Sequence, residues 1–275
     1  MKNKLLLLFF LLGVFFPLSA QESEVLISTS HTSLLLSTSQ GGELKFLYYG
    51  RKLTDADVHA IVSTESGSFS AYPVYGLNCP SESALSVQHE DGNMTLQMEV
   101  IGVETTHQEK ANLTVISLKD KVYPFYVKLC YKAYQDVDVI EAWTEISHKE
   151  KKNVKLNQFA SAYLPVRKGN VWLSSLYGAW ANEARLVQEP LEPGMKVIKN
   201  KDGVRNSHTA HAEVMFSLDG QPRENSGRVI GAALCYGGNY KLRIDTDESE
   251  YHHFYAGINE DNSVYHLKSG EVFKT

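Results

Sequence analysis

The sequence predicts an all-β fold, a sandwich or barrel with little helix, and three observations predict it. Apolar and polar residues alternate with period two in run after run beyond Gln21. Turn signals such as Asp91-Gly92-Asn93, Asp219-Gly220 and Gly237-Gly238-Asn239 separate those runs at short spacing. No stretch sustains an apolar 3.6 period over three turns, whereas the 15 Tyr and 11 Phe suit the pleated faces of strands.

The first twenty residues stand outside this pattern. Lys2 and Lys4 precede an apolar run from Leu5 to Phe16, broken only by Gly13, and Pro17-Leu-Ser-Ala20 follows with small residues. Charge, short apolar core and small-residue site, in that order, predict a secretory signal peptide over residues 1–20. The run is short for a membrane span, which needs about 20 apolar residues. The expected product is exported, periplasmic or extracellular, with no membrane attachment after cleavage. Residues 21–275 are expected to form one β domain, since no repeat and no Pro-, Gly- or Ser-rich linker divides them.

Strand signals follow in order. Leu85, Val87 and His89 lead into Asp91-Gly92-Asn93, and Leu96, Met98 and Val100 alternate away from it, which predicts a hairpin. Val115–Leu118, Tyr123–Tyr131 and Val137–Ile146 continue the series. The last is partly apolar on both faces, as expected inside a two-sheet stack: Val137, Val139 and Trp143 on one, Ile140, Ala142 and Ile146 on the other. Val214, Phe216 and Leu218, then Val229–Tyr236, then Tyr240, Leu242 and Ile244, then His252, Phe254 and Ala256 complete the set. Ala179–Val187 is the best short-helix candidate.

Composition removes several functions. Net charge is −5 without a basic stripe, so nucleic acid is not an expected partner. Cys79, Cys130 and Cys235 are too few and too scattered for a disulfide framework. Cys130 and Cys235 sit in apolar runs and are expected to be buried thiols. No Cys/His spacing suits zinc, and a strand would send His252 and His253 to opposite faces, so no metal site is expected. A Gly-x-Ser-x-Gly elbow and a phosphate-binding glycine loop are both absent from the sequence, and no cofactor is expected. Asp55, Asp57, Asp245, Asp247 and Asp261 lie in polar, turn-like contexts where Asp bonds the local backbone, so none is assigned a catalytic role.

One segment points to a ligand. Trp172-Leu-Ser-Ser-Leu-Tyr-Gly-Ala-Trp180-Ala-Asn-Glu183 holds two Trp residues beside a glycine. A Trp face stacks on the C–H face of a sugar ring while its N–H bonds at the edge. Trp143 and Trp172 lie in strands and read as packing residues; Trp180 follows Gly178 in a loop, where binding residues concentrate.

With this segment included, the chain resembles the N-terminal domain of glycoside hydrolase family 36, the α-galactosidases. Val139-Ile-Glu-Ala-Trp-Thr-Glu-Ile146 and Ser161-Ala-Tyr-Leu164 resemble a strand of that family and the Ser-Ala-x-Leu segment after it. Tyr177-Gly-Ala-Trp180-Ala-Asn-Glu183 resembles its Gly-x-Trp-x-x-Glu motif, and Pro190-Leu-Glu-Pro-Gly194 its Pro-Leu-x-x-Gly. Ser207-His208, the run Gly231–Asn239 with Gly237 in place of a Ser, Ala256-Gly-Ile-Asn259 and Tyr265–Thr275 complete the resemblance in the same order.

The resemblance implies a large two-sheet antiparallel sandwich, a supersandwich, preceding a catalytic barrel of the same polypeptide. The barrel would start after Thr275 and carry two aspartates, a nucleophile and an acid/base, that cleave terminal α-galactosides with retention. This chain would then hold no catalytic residue. It would contribute to the substrate site and to a homo-oligomer interface, with Trp180 as the substrate-binding residue. A second family loop carries an Asp-aromatic-Arg run, and Cys79, Pro80 and Ser81 fall at those positions. The carboxylate and the guanidinium, groups that make charge-assisted hydrogen bonds, are replaced. A domain built to pack on a barrel leaves an apolar patch when alone, so self-association of the isolated chain is expected. The alternative is a free-standing carbohydrate-binding sandwich.

Overall fold

The structure is a computed structural model that describes residues 23–64, 69–76, 82–166, 168–204 and 208–275. The expected signal peptide and positions 79–81 lie outside the described residues. In chain order the elements begin with β1 (Ser23–Ser28), β2 (Thr32–Thr38), β3 (Leu44–Arg51), α1 (Asp55–Val62), β4 (Phe69–Ser70) and β5 (Leu85–Gln88). Then come β6 (Met98–His107), β7 (Ala111–Asp120), β8 (Phe125–Tyr134), β9 (Ile140–His148) and β10 (Val154–Val166). The second half holds β11 (Trp172–Ala179), β12 (Asn182–Pro190), β13 (Gly194–Lys199), β14 (Ala210–Ser217) and β15 (Val229–Ala233). It closes with β16 (Tyr240–Thr246), β17 (His252–Ile258), β18 (Tyr265–Leu267) and β19 (Val272–Lys274).

The all-β class is as expected, but the hydrogen bonds divide the strands into four antiparallel sheets rather than two. Their orders are β1-β2-β3-β4, β19-β9-β8-β7-β6, β12-β11-β14-β15 and β13-β16-β17-β10-β18, with β5 also paired to β10. The physical reason lies in β10 and β17. Leu156, Phe159 and Tyr163 of β10 belong to a first core with Ile27, Leu36, Ile116, Phe125 and Ile146. Val166 of the same strand joins a second core with Leu173, Phe216, Leu242 and Ile244. Along β17, Tyr255 faces the first core while Phe254 and Ala256 face the second. A strand with both faces buried reads as continuously apolar, and β17 has buried residues at six successive positions.

Several local expectations are corrected. Ala179–Val187 is the end of β11, a tight turn and the start of β12, because cross-strand pairing with β11 outweighs the helical propensity of Ala, Glu, Leu and Arg. The helix that does form, α1, starts where turn-like acids were expected. Thr54 caps it, and the Asp57 carboxylate accepts back from the Thr54 amide, a reciprocal capping box. The turn at Asp91-Gly92 exists, with Gly92 at φ +91° and the His89 amide donating to the Asn93 carbonyl. Its flanks do not pair as a hairpin, however. Leu96 is fully buried and its amide donates to the Tyr75 carbonyl, while β5 pairs with β10. Cys130 is a buried thiol, its pKa pushed up to about 11 chiefly by burial; Cys235 is exposed, against expectation, because the run after β15 leaves the sheet. In β9, Thr144 and Ile146 are buried, but Val137 and Val139 before it are exposed.

Candidate functional site

The β11–β12 hairpin builds the site. Its register runs from Trp172 opposite Pro190 to Ala179 opposite Asn182, leaving Trp180 and Ala181 as a two-residue tip. Near the tip the register slips, since Tyr177 pairs with Arg185 but Ala179 with Asn182. β12 thus carries an extra residue, a bulge, which tightens the local twist and re-aims the tip. Ala181 and Ala184 accommodate it at φ +59° and +55°.

Gly178 explains why the motif needs a glycine two residues before the Trp. A Cβ there would stand 2.6 Å from Glu183 Cα, 2.7 Å from the Asn182 carbonyl oxygen and 2.8 Å from the His208 carbonyl oxygen. Only a residue without a side chain lets three backbone segments approach this closely. The Gly178 amide also donates to the Thr209 carbonyl at 3.1 Å, fastening the hairpin to the strand before β14. Glu183 closes the tip from the other side: its Oε1 accepts from the Ala181 amide at 3.0 Å. Gly178, Trp180 and Glu183 therefore form one turn device. Gly178 sets the approach, Glu183 pins the tip, and Trp180 is presented.

Trp180 is 83 % exposed. The other two indoles are half-buried and occupied. Trp143 donates to Glu145 at 3.2 Å and lies under the Lys274 ammonium at 4.6 Å, and Trp172 donates to Asn170 at 3.1 Å. Behind the tip, Tyr177 is half-buried and its hydroxyl pKa is raised chiefly by burial. The Lys196 ammonium lies 5.9 Å above its ring and itself pairs with Glu189 of β12. Pro190-Leu-Glu-Pro-Gly194 is the connection from β12 to β13, and Gly194 opens β13 at φ +120°. Ser207 lies outside the described residues.

Four of the five carboxylates considered from sequence hold structural contacts. Asp57 caps α1, and the hydrogen bonds from Thr54 hold its carboxyl below the usual range. Asp245 lies in β16, not in a turn, and accepts from the Glu82 amide at 3.2 Å. Asp247 accepts from the Ser249 and Tyr251 amides. Lys199 and Lys241 bracket Asp261 and draw its carboxyl down to about 2. His252 and His253 do diverge as adjacent strand residues should: His252 meets Thr246 and Gly169, and His253 meets Tyr163 and Asp247. Among the described residues no group of three His, Cys, Asp or Glu side chains is placed to hold a metal ion, and no helix is long and apolar enough to cross a membrane.

Known proteins share the sequence family and the fold of this chain. The glycosyl hydrolase family 36 N-terminal domain matches residues 42–268. Alpha-galactosidase Mel36A of Lactobacillus acidophilus is 30% identical over 171 residues, 62% of this chain and 23% of its own length. The bifunctional alpha-galactosidase/sucrose kinase AgaSK of Mediterraneibacter gnavus is 23% identical over 280 residues, covering 90% of this chain and 30% of its own. Among solved structures, the alpha-galactosidase from Lactobacillus brevis superposes with a TM-score of 0.83 at 22% identity, over 94% of this chain and 39% of that one. AgaA of Geobacillus stearothermophilus gives a TM-score of 0.83 at 21% identity, over 92% of this chain and 39% of its own. The chain thus spans about a quarter of the curated relatives' length. By the extent of the domain match, this chain belongs to glycosyl hydrolase family 36, within its N-terminal domain.

Proposed function

We propose that the chain is the N-terminal, non-catalytic portion of an exported α-galactosidase that hydrolyses terminal α-galactosides with retention. The observation that carries the proposal is the family match over residues 42–268, joined by relatives that are themselves α-galactosidases. In this reading a barrel of the same polypeptide supplies the two carboxylates that retaining glycosidases need, about 5–5.5 Å apart. The domain's share is one edge of the sugar site, where Trp180 stacks on a galactosyl ring. Its exposure on a pinned hairpin tip supports that role, since a preorganised aromatic loses little entropy on binding. Trp180 belongs to neither core, which fits a site completed across a homo-oligomer interface. The two cores, each enclosed between sheets, support reading the four sheets as layers of one large supersandwich.

The test compares two proteins on an aryl α-galactoside. The 275-residue chain alone should show no turnover above background, and the polypeptide carrying the barrel should turn over. Hydrolysis by the chain alone would overturn the division of labour. Export is tested by sequencing the N-terminus of the mature protein, which should start near Gln21. The second reading is a free-standing carbohydrate-binding sandwich, favoured by the exposure of Trp180 at the hairpin tip. Calorimetry with galactose and melibiose decides it: no heat at millimolar sugar removes that reading.

A further inference from the structure

The sheet that presents Trp180 has a second feature on its outer face. Register places Gln188, Ser174 and Met215 side by side across β12, β11 and β14, and Trp172, Ser217 and Val229 across β11, β14 and β15. The opposite face of the same strands carries Leu173, Val214 and Phe216 into the second core. On the outer face, Leu186, Met215 and Val229 are 59%, 38% and 56% exposed, an aliphatic floor. The loop 218–228 stands beside that floor and borders a half-open groove of about 1020 Å³. Its base is closed by the Leu218 amide to the Arg228 carbonyl at 2.9 Å, and by Arg228 Nε to Asp219 Oδ2 at 3.0 Å. Arg223 and Ser226 bridge its tip. The wall is thus a built turn rather than an open strand end.

The lining selects a class of ligand. Arg223 and Arg228 are balanced by Asp219 and Glu224, so neither an anion nor a cation is favoured. Arg228 and Asp219 pair with each other. Ser217 lies in the floor at 4% exposure, with its Oγ closed to solvent. Gln221, Asn225 and Ser226 of the loop line the groove and are exposed, and they supply the amide and hydroxyl groups that a ligand can reach. Gln188, two strands away on β12, adds an amide to the floor, its Nε2 donating to Ser174 Oγ at 3.3 Å. Flat aliphatic surface, neutral overall charge and hydroxyl and amide groups together suit a neutral polyhydroxylated molecule. The volume is at the upper end of ligand pockets, about 300–1,000 Å³, which fits several sugar rings rather than one.

We propose that this groove is a second saccharide site, which holds the body of a neutral oligosaccharide. From Ala179 to Leu176, which is opposite the groove's Leu186, is three strand residues, about 10 Å at roughly 3.4 Å each, so a single ring stacked on Trp180 does not occupy the groove. The choice of an α-galactosyl oligosaccharide rests on the function proposed above; the site itself rests on the groove's own residues.

Amide NMR of the isotope-labelled chain, titrated with raffinose, tests it. Saturable shifts are expected at residues 186–188, 215–217 and 228–229, with a Kd on the order of 1 mM. Gln188→Ala should weaken them about tenfold, as loss of a hydrogen bond to a bound hydroxyl does. Arg228→Ala should weaken them too, and unchanged shifts elsewhere check that either variant is folded; if Arg228→Ala disturbs the loop, Gln188→Ala decides alone. Trp180→Ala should leave the groove response intact. Silence of the tip with a responding groove would remove the Trp180 role and keep this site. No groove shifts, groove shifts indifferent to Gln188→Ala, or a stronger response to inorganic phosphate than to raffinose would each overturn the proposal.

Discussion

Gly178 and Glu183 approach so closely across the β11–β12 bulge that a Cβ on Gly178 would stand 2.6 Å from the Glu183 Cα. The neighbour is backbone on every side, so no side chain can swing away to make room. Gly178→Ala is therefore expected to destabilise the protein by about 1–3 kcal/mol through forced backbone movement. A lower denaturant midpoint at unchanged slope measures it, and amide shifts should spread over residues 178–184 and 208–210. An unchanged midpoint would mean that the bulge relaxes without strain.

Trp180 should behave in the opposite way. It is 83 % exposed, so Trp180→Ala is expected to move stability by no more than about 0.5 kcal/mol. In the polypeptide that carries the barrel, the same change should raise KM for an α-galactoside about tenfold, since stacking on an aromatic is worth about 1 kcal/mol or more. Trp172→Ala supplies the contrast. It removes a half-buried indole from the sheet and should lower stability while acting on KM less. Equal effects of the two on both measurements would argue against a binding role for Trp180.

The contrast shows how far the sequence reaches. Period-two alternation makes the strand content legible, and the loop position of Trp180 after Gly178 marks it as the presented indole. The partners of the strands are not legible. β5 reads as half of a hairpin around Gly92, yet it pairs with β10, which lies more than sixty residues downstream. Local turn chemistry specifies the turn and leaves open which edge is free to receive the strand. The division into four sheets depends on the alternate faces of β10 and β17 serving different cores, and a run of buried residues on both faces has no period to read. The helix at Asp55 was within reach, since Thr54 and Asp57 have capping-box spacing, but two acids in a polar stretch equally describe a turn. The groove over Leu186 and Met215 had no sequence signal, because its wall and its floor come from segments that only the register brings together.

His89 and Glu150 form a buried pair whose loss should be severe. Their side chains are 0% and 3% exposed, and His89 Nδ1 lies 2.8 Å from Glu150 Oε1. Glu150 Oε2 also accepts from the Glu90 amide, and the His89 ring stacks on Tyr123 with centroids 3.7 Å apart. Removing one partner leaves the other desolvated, so Glu150→Ala is expected to cost about 3–5 kcal/mol. The exposed pair of Arg228 and Asp219, with side chains 63% and 39% exposed, should contribute far less to stability, because solvent screens it. Thermal melts of Glu150→Ala and Asp219→Ala measure the difference. Equal shifts would mean that the His89–Glu150 pair keeps water.

Acid should loosen the β13–β16 edge through Asp261. Lys199 of β13 and Lys241 of β16 both donate to its carboxylate, Lys241 at 2.9 Å, and Lys241 also meets Glu260 at 2.7 Å. These bonds draw the carboxyl from its ordinary 3.8 down to about 2. A carboxyl depressed in the folded state takes up its proton at higher pH once the chain is unfolded. Between about pH 4 and pH 2 unfolding therefore binds a proton, and stability falls as pH falls. Above the unfolded value the contribution is fully present, and below about 2 it is gone. Asp261→Asn cannot take up that proton, so its stability should be lower at neutral pH and should decline less steeply across this window. Urea titrations at pH 7, 4 and 2.5 check both signs at once. A variant whose decline parallels that of the native protein would show that other carboxylates carry the acid response. Asp247, whose amide and His253 bonds lower its pKa against the opposing effect of burial, is the next to substitute.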